Sequence, residues 1–439
     1  MNHGGSNLSP GNYRLEKFVI HSLLNSKTVD MRNLFSRIEI YEDLFSPYIS
    51  ANLYIEDSFN FPERLPIVGH EKVELSFKSD ISGFPLVELV FRVYKLDQQK
   101  IGENGKTQEY TLHLVSEGGY FNNSQYCGYA LSGPVSDMVR SVFTKHFPEP
   151  LWKDRLYIES TKDKYSFVVS AAYNPFKAVS WLSTKATARS GNEYSPYLFY
   201  ESIDGHRFVS LSTLIEQGYR TDARYFYTTA NIGIVEAEKQ SLGFSSPLPT
   251  RYHKIQRLEE LSRFDAVSNT MSGMVSSMLG VHDLVRKQVR TYEIFEKDLF
   301  SSAKKLGDQP HYKTGDPDAS RFTKRGAVYF YQPSTPFTVY SSKNQIKDNF
   351  RTEELYLRRN YHMNAIFTQK LVIEIFGDSR RRVGDVITIV VAKPQSDVTG
   401  ITDKSDRNLS GEYIVTGVKH VLGKAYSCKL EISRNGMGV

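Results

Sequence analysis

Ser36-Arg37-Ile38-Glu39-Ile40-Tyr41-Glu42 alternates polar and apolar residues with a period of two, the pattern of a β-strand with one face on a core and the other in water. The theme recurs in Asn52-Leu53-Tyr54-Ile55-Glu56-Asp57, Lys72-Val73-Glu74-Leu75-Ser76-Phe77, Leu89-Val90-Phe91-Arg92-Val93-Tyr94 and Tyr110-Thr111-Leu112-His113-Leu114-Val115. Strands at this spacing, with Gly102-Glu103-Asn104-Gly105 as a hairpin tip, predict an antiparallel barrel or sandwich.

Helical signals follow. Ser132-Gly133-Pro134 before an apolar-periodic run predicts a helix with Ser132 as cap, and Asn174-Pro175-Phe176 predicts a second, capped by Asn174 and burying Val179, Trp181 and Leu182. Tyr197 to Ser210, turning at Asp204-Gly205, reads as a hairpin, so this stretch is a mixed α+β domain. Ile255 to Leu261 reads as helix-like, Gly273 to Asp283 with Lys287 to Glu293 as a strand pair, and 301–345 mostly as a loop or insertion. Glu353 to Phe367 is the best helix candidate. Strand-like runs at 370–375, 386–391, 412–418 and 428–432 close the chain, with 395–410 as a turn region. A faint echo pairs Val68-Gly69-His70-Glu71-Lys72-Val73-Glu74-Leu75 with Val383-Gly384-Asp385-Val386-Ile387-Thr388-Ile389.

The 439 residues carry 55 Lys+Arg against 49 Asp+Glu, a net charge of +6, with 40% hydrophobic and 13% aromatic residues. Such a chain folds, and its near balance of charge disfavours a nucleic-acid enzyme. Cys127 and Cys428 fit reduced, buried thiols, and no apolar run approaches the roughly 20 residues of a membrane span. The expectation is a protein made and folded in the cytoplasm without a signal peptide and without membrane insertion.

No motif for catalysis or phosphate binding is present. His70-Glu71, His113 and His146 lack metal-ligand spacing and read as scattered structural or solvated histidines. Glu42-Asp43 and Glu56-Asp57 read as turn carboxylates rather than an acid/base couple. Arg380-Arg381-Arg382, with Arg358-Arg359 upstream, reads as decoration of an exposed hairpin or as a contact for phosphates or a partner's carboxylates. Tyr225-Phe226-Tyr227 reads as strand core or interface packing ahead of a glycan or base platform. A large aromatic β-rich chain without chemistry favours assembly over turnover.

Four blocks, taken together and in order, resemble the central baseplate hub protein of contractile-tailed bacteriophages. They are Tyr41 to Ser58 with Leu65 to Glu71; Asn174 to Ser183 with Ser195 to Glu201; Met278 to Lys287; and Gly377 to Val386 with Ser410 to His420. The resemblance spans roughly residues 15–435 and leaves 301–345 unplaced. It implies a β-rich α+β chain with two tail-tube-like antiparallel β-barrel domains and an intervening α+β domain, assembling as a ring-shaped trimer. The expected divisions are 1–117 for the first barrel, 118–210 with about 295–345 for the middle domain, and 211–294 with 346–439 for the second barrel.

The implied function is a structural hub, not an enzyme and without cofactor or metal. As a homotrimer it adapts the sixfold tail tube to the threefold central spike and encloses the channel for genome passage. The implied partners are the spike, the tube or its initiator, and baseplate wedge proteins; genomic DNA passes through without specific binding. The implied location is the virion tail baseplate, with assembly in the host cytoplasm. On this reading Arg380, Arg381, Arg382, Tyr48 and Phe45 are the candidate interface residues. The alternatives are the hub of a phage-like secretion or injection particle, and a tail-associated cell-wall glycan hydrolase or glycan-binding protein.

Overall fold

Alternating burial makes several of the strands legible. Ser50–Asp57 and Gln369–Phe376 each send every second side chain into the core. The computed structural model describes residues 11–438 apart from 25–26, 59–61, 63–65, 102–106, 191–193, 218–222, 229–249, 284–286, 302–304, 311–326, 332–337, 341–345, 349–351 and 393–404. The expected hairpin tip at 102–105 lies outside the described residues, as does most of 395–410.

The first strands are β1 (Tyr13–His21), β2 (Thr28–Asp30), β3 (Phe35–Asp43), β4 (Ser50–Asp57), β5 (Lys72–Ser79), β6 (Val87–Ile101) and β7 (Gln108–Ser116). A mixed unit follows, with β8 (Ala130–Pro134), β9 (Leu156–Ile158), β10 (Lys164–Val168), β11 (Tyr197–Ser202) and β12 (Gly205–Ser210). Its helices Val135–His146 and Pro175–Ser183 bury Val139, Phe143, Phe176 and Leu182 in a second core. Asn174 caps as expected, its Oδ1 accepting from Lys177 N at 2.9 Å. Ser132 does not cap; it lies in β8, and Thr161 Oγ1 instead accepts from Ser136 N at 3.0 Å. The cap comes from a distant residue, which local spacing does not reveal.

Next come β13 (Arg224–Tyr227), β14 (Arg257–Ser262), β15 (Ser276–Asp283), β16 (Gln288–Phe295), β17 (Ala327–Tyr331), β18 (Thr338–Tyr340) and β19 (Ile346–Asp348). The helix Thr352–Ala365 then leads into β20 (Gln369–Phe376), β21 (Val386–Val391), β22 (Gly411–Leu422) and β23 (Tyr426–Arg434). The expected β15–β16 pair is present. Two expectations are corrected. The helix-like 255–261 is strand β14, because pairing with β20 overrides the helix preference of its Leu and Glu residues. The expected loop 301–345 contains β17, which adds in parallel to β15, and β18, which pairs with β19.

One 13-stranded sheet organises the chain: β14-β20-β23-β22-β3-β4-β7-β6-β5-β1-β2, with β21 on β22 and β13 on β21. Among the described residues this path has two free ends and closes no barrel. It contains the same five-strand unit twice, β3-β4-β7-β6-β5 and β14-β20-β23-β22-β21, with all pairs antiparallel. The bulges coincide. The register slips between Val93 and Lys95 in β6 and between Val415 and Gly417 in β22, where Val93 faces Leu114 and Val415 faces Ile432.

The turn leading into the unit repeats as well. His70 N donates to Val93 O at 2.7 Å and Val93 N to Glu71 O at 3.0 Å; Gly384 N donates to Val415 O and Val415 N to Asp385 O, both at 2.8 Å. His70 and Gly384 share a left-handed backbone, φ 81° and 84°. In each copy the following carboxylate accepts from the N–H three residues back, Glu71 from Val68 N at 2.8 Å and Asp385 from Arg382 N at 3.4 Å. The faint sequence echo is therefore real but one residue out of register, since His70, not Gly69, matches Gly384.

Candidate assembly site

The two copies meet where β22 pairs with β3, from Gly417 opposite Asp43 to Leu422 opposite Ile38. A buried polar node marks this junction. Glu42 Oε1 lies 3.0 Å from His420 Nε2, both side chains fully buried. Glu42 Oε2 accepts from Ile203 N at 3.2 Å, which brings in the mixed unit. His420 Nδ1 lies 2.9 Å from Tyr426 Oη and 3.3 Å from Cys428 Sγ. Burial opposes charge on His420, but Cys428 and Glu42 outweigh it and raise its pKa to about 10. A second node ties the first copy to the mixed unit: Glu201 Oε2 accepts from Ile49 N at 2.9 Å and from Ser116 Oγ at 2.5 Å.

Asp378, Arg380, Arg381 and Arg382 form the turn between β20 and β21. Arg380 grips Asp378 through Nε and Nη2 at 2.9 and 2.8 Å, and its guanidinium lies 3.9 Å from the Phe84 ring centroid. Arg381 has no exposed side-chain surface, with Nε 3.4 Å from Asp378 and Nη1 3.5 Å from Asp385. Arg382 pairs with Asp204 of the β11–β12 turn. Ser379 N donates to Ser79 Oγ at 3.2 Å and Ser379 Oγ to Pro85 O at 3.0 Å. Burial disfavours charge on Asp378, but Arg381 and Arg380 overcome it and hold the carboxyl below its usual range. The expected exposed hairpin is thus corrected. Gly377 has no room for a Cβ beside the Tyr426 ring, so the turn is pressed inward and its charges are spent within the chain.

Phe45 and Tyr48 do lie at the surface, about two-fifths exposed, on the turn after β3. Phe45 also packs on Phe367, ring centroids 5.3 Å apart. The remaining candidates are not brought together. His70 Nδ1 meets Tyr120 Oη, His113 Nδ1 meets Asn52 Oδ1 and His146 Nδ1 meets Gln125 Oε1, each at 2.8 Å. No cluster fit to hold a metal occurs among the described residues. Glu42 and Asp43 point to opposite faces of one strand, Glu42 into the node and Asp43 capping Phe45 N at 2.7 Å. Tyr225 and Phe226 are buried in β13, as core packing requires. Arg359 Nη1 donates to Ser183 O at 2.6 Å, a structural role. Cys127 and Cys428 are free and buried as expected, and no described helix is long and apolar enough to cross a membrane. The Glu42–His420 node was missed in the sequence. Its one signal is a histidine at the period-two spacing of Val418 and Leu422, between two apolar residues of one strand face.

The fold is similar to those of two solved tail proteins. A tail protein from Neisseria meningitidis MC58 superposes with a TM-score of 0.51 over 96% of both chains at 11% identity. The 43 kDa tail protein of prophage MuSo2 from Shewanella oneidensis gives 0.53 over 96% of this chain and 98% of its own at 7% identity. At these identities the likeness is one of fold. No family model matches the sequence. A curated relative, described as a "probable baseplate hub protein" of Vibrio phage KVP40, is 22% identical over 95% of both chains. The resemblance to phage baseplate hub proteins therefore runs the length of the chain.

Proposed function

We propose that this chain is the central hub of a contractile phage tail baseplate, a homotrimer that matches the sixfold tail tube to the threefold spike and encloses the channel through which the genome leaves. One observation carries this reading: the five-strand unit occurs twice in one chain, and both copies lie in a single sheet. Three chains then supply six like units to the tube, while the parts outside the repeat remain in three copies for the spike. The divisions 1–117, 118–210 with about 295–345, and 211–294 with 346–439 are the proposed domains. Wedge proteins surround the ring, and its channel passes DNA without specific contacts. The site is the virion baseplate, reached after folding and assembly in the host cytoplasm.

The role is structural, without enzymatic activity, cofactor or metal. Phe45 and Tyr48 are the aromatic contacts proposed for a neighbouring subunit; the partly exposed Arg380 and Arg382 are proposed as further contacts, and the buried Arg381 braces their turn from within. Light scattering on the purified protein, alone and with the spike protein of the same phage, tests the reading. A mass near three times 50.2 kDa in either sample supports it. A monomer in both overturns it.

A further inference from the structure

One seam of the molecule gathers three cations, two of which, Arg358 and Arg359, meet no carboxylate among the described residues. The helix Thr352–Ala365 packs its Leu355 into the core of the mixed unit, and its Arg359 reaches the end of the helix Pro175–Ser183. Arg359 Nη1 donates to Ser183 O at 2.6 Å and Nη2 to Tyr197 O at 3.5 Å. The negative end of a helix explains why an arginine is held there, but backbone carbonyls do not neutralise it. The guanidinium keeps further N–H donors beyond these two. Arg358 lies with its guanidinium 4.3 Å from the Tyr194 ring centroid. Lys185 follows the same helix end, its Nζ 5.8 Å from the Trp181 ring centroid. All three side chains are partly exposed, so the seam opens to solvent.

The crowding marks its surroundings. Burial pushes Arg359 down to about 10. Burial, then the charge of Arg359, pushes Lys185 down to about 8. Burial, then the charge of Arg358, holds His362 down to about 4, so that it adds no charge near neutrality. The Arg380-Arg381-Arg382 turn is the contrast, because there each arginine meets a carboxylate of the chain itself, Asp378, Asp385 or Asp204. Two arginines held in a seam without an acidic partner of their own leave room for one that another molecule supplies.

We infer that Arg358, Arg359 and Lys185 form a docking site for a carboxylate side chain of another protein, the one that meets the parts of this chain outside the repeated five-strand unit. The mixed unit and the helix Thr352–Ala365 both lie outside that unit, so the site occurs once per chain. A threefold ring would carry three such sites, which makes the spike rather than the tube the partner. A guanidinium is a planar fork that takes a carboxylate through parallel N–H bonds, and the lysine ammonium adds a point charge beside it. Three cations in one seam, in a chain whose net charge is only +6, offer no extended track for a nucleic-acid backbone.

The inference rests on the hub reading, and the test separates the two. Affinity for the spike protein of the same phage is measured by surface plasmon resonance on the full chain, native and as Lys185→Glu, Arg358→Glu and the charge-keeping Lys185→Arg. Each reversal should weaken binding about tenfold, while Lys185→Arg stays within about threefold of the native protein. Added salt should weaken the native complex more than the Arg358→Glu complex. Denaturant unfolding is run on each variant; where a reversal does not fold, Lys185→Gln and Arg358→Gln take its place, with an expected loss of about threefold. Spike binding that is the same in all the variants overturns the docking site and leaves the hub reading standing. A native chain that does not bind the spike overturns both. Duplex DNA held by the native chain and lost by the reversals, with spike binding intact, overturns the carboxylate assignment.

Discussion

Glu42 and His420 face each other with no exposed surface, so neither charge has water to fall back on. His420 holds its proton well above the usual imidazole range, with a folded pKa of about 10. Its contribution to stability is complete below the unfolded value of roughly 6.5 and is lost as pH rises through the folded value. Thermal melts from pH 6 to 10 should show the native protein losing stability relative to His420→Gln across that window. Parallel pH curves for the two proteins would contradict the charge pair. Asp378 behaves with the opposite sign. Its carboxyl is depressed, so its contribution is present above the unfolded carboxylate value and lost as pH falls. Asp378→Ala takes from the buried Arg381 one of its two carboxylates, leaving Asp385, and should cost about 3 kcal/mol in denaturant unfolding. At this scale the sequence was a poor guide. Arg380, Arg381 and Arg382 read as surface charge because one carboxylate partner, Asp204, is far away in the chain, and the other two, Asp378 and Asp385, flank the turn without revealing that it folds inward.

The left-handed residue before the strand separates the two copies of the five-strand unit in one respect: one uses His70, the other Gly384. A Cβ on Gly384 would lie 2.7 Å from Tyr200 Oη as well as meeting an unfavourable φ, so Gly384→Ala should destabilise by about 1–3 kcal/mol. His70→Gly removes a strained side chain but also its contact with Tyr120, and the net change should stay within about 1 kcal/mol. Chemical denaturation of both variants checks the pair; equal large losses would contradict the equivalence of the two turns. Strand patterns were legible because a half-buried strand writes its period into the sequence, as β3 and β4 do. β14 was not, because an exposed edge strand has no such period and its Leu and Glu favour helix. The echo at 68–75 and 383–389 was visible, but its register needed the hydrogen bonds to Val93 and Val415.

The β22–β3 pairing joins two like units edge to edge in one sheet, whose path ends at β14 and β2 among the described residues. The proposed threefold ring would set three such sheets, and so six like units, around one axis. The second copy of the unit was only partly legible, since a long intervening segment separates β14 from β20. Truncation after Glu216 removes the second copy, including β22, and exposes the outer edge of β3. That fragment should aggregate or fail to yield a trimer in size-exclusion chromatography, whereas a well-behaved trimeric fragment would place the contacts elsewhere. The most direct measurement is electron cryomicroscopy of the purified assembly with its spike. Three chains around one axis, with six like β-units in the tier facing the tube, are the expected result. A different number of chains, or a tier in which the two units of one chain do not take equivalent places around the axis, would contradict the hub reading.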